Sequence, residues 1–101
     1  MPIYESGMLI ESSKLSLFDK KVFFEVSRIK RGQTRTYKEI AILIGKPHAY
    51  RAVGNALNRN PFPVKIPCHR VVRSDGRLGG YKLGTEKKKS LLEKEGVFVK
   101  Q

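Results

Sequence analysis

At 101 residues the chain has room for one domain with a modest core and hardly for two, and 40% hydrophobic against 30% charged residues excludes a disordered tail. One cysteine excludes an internal disulfide framework and fits a reducing interior, and the apolar runs are too short to span a membrane. The net charge of +12, from 21 basic and 9 acidic residues, favours a polyanionic partner such as nucleic acid, because neutralised phosphates release counterions.

The start of the chain lacks the basic opening and long apolar middle of a secretory signal, so the expected address is the cytoplasm, or the nucleus of a nucleated cell. Ile3-Tyr4 and Met8-Leu9-Ile10, separated by Ser6-Gly7, suggest a small hairpin. Ser16, with Asp19 three residues on, reads as a helix start; Phe18, Val22, Val26 and Ile29 then mark one buried face, and Gly32 a stop. Thr36-Tyr37-Lys38-Glu39 is a clearer capping box, opening a short helix through Ile40, Ala41, Leu43 and Ile44 that Gly45 ends. After Pro47 a second helix is expected over 48–59, with Val53 and Leu57 on one face. Two short helices around the turn at Gly45 make a helix-turn-helix. Ala49, Ala52, Gly54 and Ala56 allow close backbone approach, either to a partner or to the protein's own interior.

Pro61, Pro63 and Pro67 make the approach to Cys68 stiff and non-helical. Val71-Val72-Arg73 and Arg77-Leu78 flank Ser74-Asp75-Gly76 and predict a small hairpin with a polar turn. The stretch 79–84 is glycine-rich but lacks the Gly-Lys-Ser/Thr ending of a phosphate-binding loop. Thr85 is expected to cap a last helix carrying Leu91, Leu92 and Glu95 and ended by Gly96, with Lys87-Lys88-Lys89 as a solvated face.

Cys68 is the one soft nucleophile, set in Pro67-Cys68-His69-Arg70-Val71. Metal binding is not expected: Cys68, His69 and His48 are too few ligands for a structural zinc, and adjacent Cys68 and His69 lack chelating separation. A nucleophilic thiol must ionise and so needs a base or positive potential nearby. Neighbouring side chains point apart along a strand, so His69 is expected to act through a bridging water or a sharp bend at Pro67, and to need an orienting acid. Spacing does not say which of the nine acids that is.

Pro67-Cys68-His69-Arg70-Val71-Val72 resembles the active-site signature of the methylated-DNA–protein-cysteine methyltransferases, the O6-alkylguanine repair family. Arg51-Ala52-Val53-Gly54 followed by Asn60-Pro61 is similar to the family's recognition helix and asparagine hinge, and Thr36-Tyr37 and Glu95-Gly96 fall in their places. The resemblance covers about 18–96. It implies an α+β fold, mostly helical: a small single domain with a winged helix-turn-helix-like DNA-binding core. It further implies that Cys68 accepts the alkyl group, that His69 acts as its base through a water, that Glu95 orients His69, and that Asn60 ties the turn shaping the site. Arg51 would fill the space of the flipped nucleotide, and Tyr37 would press on the adjacent phosphate. The helix-turn-helix would enter the minor groove of double-stranded DNA bearing alkylated guanine, which suits Ala52 and Gly54. Lys38, Lys46 and Ser74 would contact phosphates. The carbonyls of Cys68 and Val71, with Tyr81 and the Lys82 amide, would hold the extruded base. No cofactor, metal or membrane is implied, and the protein would act once, as a monomer.

The sequence departs from the family pattern in three ways. Only about fifteen residues precede the first helix, so the expectation is one catalytic and DNA-binding domain over 1–101, with 1–15 a short extension in place of an N-terminal domain. Tyr50 is bulkier than the small residue usual beside the arginine. Gly80 and Lys82 replace a more usual polar pair around Tyr81. Two alternatives stand beside repair: an alkyltransferase-like damage sensor without transfer, which commonly carries tryptophan in place of the nucleophile, and a plain helix-turn-helix regulator with an inert cysteine. The retained Cys68 and the absence of tryptophan speak against the sensor.

Overall fold

The computed structural model describes residues 15–99; the hairpin expected over 3–10 lies outside them. Helix α1, Leu17–Ser27, begins as expected: Ser16 Oγ accepts the Asp19 N–H at 3.1 Å while the Asp19 carboxylate accepts the Ser16 N–H at 3.4 Å. Its inward residues Val22, Phe23 and Val26 are fully buried, contributing roughly 2 kcal/mol each. The helix stops five residues before Gly32, and Ile29 is buried beyond its end. Asp19 has a second partner: Arg59 donates two bonds to it at 2.7 and 3.0 Å, tying the start of α1 to the segment after the third helix.

Strand β1, Arg35–Thr36, runs directly into α2, Tyr37–Leu43. Thr36 and Glu39 form the reciprocal capping box at 3.0 and 2.8 Å, and Gly45 leaves the helix at φ +78°. Helix α3, Tyr50–Leu57, is shorter at both ends than the expected 48–59, and its N-cap Ala49 makes no side-chain cap bond. Val53, Ala56 and Leu57 face the core. The close-packing residues therefore divide. Ala56 is interior, Gly54 lies against the Tyr37 ring, and Ala52 is exposed.

Cys68–Arg70 forms a 3₁₀ turn leading into β2, Val71–Val72. β2 pairs in parallel with β1, Arg35 opposite Val71 and Thr36 opposite Val72. This corrects the hairpin expected over 71–78. The polar turn exists, closed by Arg73 N–H to Arg77 O at 2.9 Å, but Val71 and Val72 take their ladder partner from the segment before α2 because both side chains are buried there. Helix α4, Thr85–Lys94, is preceded by Gly84 as N-cap, so Thr85 is its first residue and caps nothing. Its buried residues are Lys88 and Leu92. The solvated lysine face was therefore wrong at its centre: Lys88 is 0% exposed. The main core joins α1, α2, α3 and the Cys68 turn, and Leu92 closes a smaller one with Val72 and Leu78. The result is the expected α+β arrangement of four helices and one short sheet among the described residues.

Candidate active site

The prolines and Asn60 bring Cys68 to the floor of a cavity of about 360 Å³, lined among others by Tyr37, Arg51, Gly54, Tyr81 and Lys82. Asn60 is 1% exposed and uses both ends of its amide. Its Nδ2 donates to Ile66 O at 3.0 Å and to Cys68 Sγ at 2.9 Å, and its Oδ1 accepts the Phe62 N–H at 2.7 Å. These bonds close the turn in which Val64 sits at φ +73°, a left-handed conformation costly for a β-branched residue. The thiol is 4% exposed, and burial pushes its pKa up to about 12 against the pull of the Asn60 N–H and the positive charges of Lys88 and Lys82.

The 3₁₀ turn sends the next side chain inward. His69 is 1% exposed, and its Nε2 lies 3.0 Å from Glu95 Oε2. Arg70 Nε and Nη2 donate to the same carboxylate at 3.0 and 2.8 Å, while Nη1 donates to Ile29 O at 2.7 Å. Arg70 first, and His69 after it, hold the Glu95 pKa down to about 2, so the carboxylate is ionised and only accepts. His69 Nε2 must then be the donor, and Nδ1 is left with the lone pair. Burial lowers the imidazole pKa, so the ring is neutral near pH 7. Nδ1 is buried and has no hydrogen-bond partner among the described residues, and the Tyr81 ring meets the imidazole edge-on at 6.4 Å between centroids.

Lys88 was missed by the sequence reading. Its Nζ donates to Gly80 O at 3.0 Å and to Tyr37 Oη at 3.3 Å, and burial holds its pKa down to about 8, with the sulfur's charge opposing. It pins the glycine-rich loop and Tyr37 to the wall of the cavity. Arg70, also unassigned from sequence, fixes Glu95. Lys82 reaches Asn60 O at 2.9 Å through Nζ. Val71 contributes its side chain to the core, and its N–H bonds Cys68 O. Lys38 and Ser74 line a neighbouring cavity of about 390 Å³ with Tyr37, Tyr50, Arg73 and Asp75. Lys46 is exposed in the turn between α2 and α3 and lines neither cavity. No group of three or more metal-ligating side chains occurs among the described residues.

Residues 17–97 match the family model described as 6-O-methylguanine DNA methyltransferase, DNA binding domain. The chain belongs to this family. It is 54% identical over 98 residues to a methylated-DNA–protein-cysteine methyltransferase of Methanosarcina barkeri, covering 91% of this chain and 61% of that protein. The crystal structure of Mycobacterium tuberculosis OGT in complex with DNA superposes with a TM-score of 0.80 at 43% identity, covering 82% of this chain and 51% of that one. Schizosaccharomyces pombe Atl1, crystallised with damaged DNA containing O6-carboxymethylguanine, gives 0.76 at 34% identity and is covered over 83% of its length. The chain spans about half the length of the curated methyltransferases it matches.

Proposed function

We propose that this family member repairs DNA by moving an alkyl group from guanine O6 to Cys68. The observation carrying the proposal is the bonding of the turn that carries the sulfur: His69 and Arg70 both hold Glu95, and the other nitrogen of His69 is buried and unpartnered among the described residues, one residue along from Cys68. An alkylated O6 lies inside the stacked duplex, so the nucleotide has to rotate out, and Arg51 on α3 fills the gap it leaves. The base occupies the cavity over Cys68, edged by Tyr81 and Lys82. His69 Nδ1 takes the thiol proton through a water. The resulting thiolate attacks the alkyl carbon in line, the carbon–oxygen bond breaks, and its electron pair leaves on guanine O6, which is neutralised by a proton. The thioether is stable, so each molecule reacts once and needs no cofactor.

Ionising a thiol whose resting pKa is about 12 is the hard step, and the site is built for it: a neutral imidazole to accept the proton, and Lys82 and Lys88 to favour negative sulfur. Tyr37 at the start of α2 and Gly54 on α3 line the cavity on the side where the minor groove would dock, Ala52 is exposed on the same helix, and Lys38 and Ser74 at the neighbouring cavity, with Lys46 exposed in the turn before α3, would meet phosphates. The likeness to Atl1 favours a second reading, lesion binding without transfer. Intact-protein mass spectrometry after incubation with an O6-methylguanine duplex separates the two. Gain of one methyl group, lost in Cys68→Ala, supports repair. Tight lesion binding with an unchanged mass refutes transfer and leaves the sensor.

A further inference from the structure

The cavity over Cys68 and the neighbouring one share three wall residues: Tyr37, Tyr50 and Arg73. Tyr37 is committed to Lys88 and Gly80, and Arg73 pairs with Asp75 at 3.1 Å. Tyr50 is different. It is the first residue of α3, the residue is 45% exposed, and it stands on the ridge between the base cavity and the cavity flanked by Lys38, Arg73 and Ser74. It immediately precedes Arg51, about 100° away around the helix axis. An aromatic ring open beside a groove edged by Lys38 and Arg73, and next to Arg51, presents a flat face on which another ring can stack.

Extruding one nucleotide creates such a surface. The bases on either side of the gap each lose a stacking partner, and a single guanidinium from Arg51 covers only part of what is exposed. Resting on the base-extrusion reading above, we propose that Tyr50 is a second wedge, stacking on the base that borders the extruded nucleotide and so setting how readily this chain acts on duplex DNA. Arg51 holds the gap open and Tyr50 seals its edge. The lesion itself is still read in the cavity, so Tyr50 governs extrusion and leaves the chemistry at sulfur untouched.

The test places 2-aminopurine, whose fluorescence is quenched by stacking, next to O6-methylguanine on one side and then on the other, and compares the parent with Tyr50→Ala and Tyr50→Phe. In one of the two placements the probe should stay quenched with the parent and with Tyr50→Phe and brighten severalfold with Tyr50→Ala. Transfer from duplex should slow about tenfold in Tyr50→Ala and recover in Tyr50→Phe, as loss of one aromatic–base stack predicts. Transfer from the free base O6-benzylguanine, for which Tyr50 is only one of the cavity's wall residues, should slow far less than transfer from duplex. Equal fluorescence in all three proteins at both placements overturns the proposal, as does equal slowing on duplex and free base. The fluorescence arm does not need transfer: a parent that binds and brightens or quenches the probe without gaining mass defeats the repair reading while Tyr50 is still judged. A parent with no lesion-dependent signal of either kind overturns both.

Discussion

Replacing Lys88 with methionine separates what the buried amine does for the site from what it does to the fold. The side chain is wholly buried, and its pKa is about 8 against an ordinary 10.5. That gap corresponds to roughly 3 kcal/mol of unfavourable charge burial, beyond what the bonds to Gly80 O and Tyr37 Oη return. Between pH 8 and 10.5 the unfolded chain keeps a proton on this amine that the folded chain has released, so stability rises with pH across that window. Below pH 8 both states are protonated, and the contribution is flat and at its least favourable. Methionine is of similar length and uncharged, though it takes a donor from Tyr37 Oη and leaves Gly80 O with the Tyr37 hydroxyl alone. In urea unfolding at pH 7 Lys88→Met should therefore lie within about 1 kcal/mol of the parent, on either side. The parent's gain between pH 8 and about pH 9.5, roughly 2 kcal/mol, should be missing from the variant. Single-turnover transfer should fall by at least about tenfold, because Cys68 loses a charge that draws its thiol toward ionisation. A variant several kcal/mol less stable at pH 7, with the parent's pH dependence intact, would show that the amine is neither desolvated nor strained and would refute the reasoning.

Glu95→Gln should cost about 2–3 kcal/mol in urea unfolding at pH 7, since Arg70 and His69 lose an ionised partner. Because the folded carboxylate titrates at about 2 and an ordinary one at 4.5, the parent's advantage is complete above pH 4.5 and should be nearly gone at pH 2; a gap that persists there contradicts the assignment. Gly79 and Gly80 give a matched pair. A Cβ at Gly79, where φ is +74°, would lie 2.7 Å from Tyr37 Oη, so Gly79→Ala should destabilise by about 2–3 kcal/mol and slow transfer by moving Tyr37. Gly80→Ala meets nothing within 4 Å and should leave the melting temperature unchanged; equal effects at the two positions would mean the loop packs otherwise.

The parts of this fold governed by local chemistry were readable in the residues. Ser16 with Asp19, and Thr36 with Glu39, announce helix starts because the capping bonds involve only residues three apart. The Asn60–Pro67 stretch is non-helical for reasons internal to proline. Cys68 stood out because it is alone. What depends on tertiary partners was not readable. Val71 and Val72 pair with a segment some thirty-five residues away, and nothing in a short apolar run followed by a turn distinguishes that from a hairpin. Glu95 could be placed only through the family resemblance, because spacing treats the nine acids alike. Lys88 is the instructive miss. Lys88, Leu92 and Glu95 are spaced by four and three residues, so the inward face that puts Glu95 on His69 also carries Lys88 inward. The run of three lysines obscured that periodicity. Arg70 gave no comparable signal, since its three bonds join the segment after α1, the 3₁₀ turn and the end of α4.

Asn60 gives the reactive sulfur a second employment. One carboxamide spans the nucleophile, a carbonyl six residues on, and the N–H that begins a reversed loop around Val64. On the proposed transfer, alkylation would turn that sulfur into a bulkier, poorer acceptor and so weaken the same carboxamide's hold on the bend around Val64.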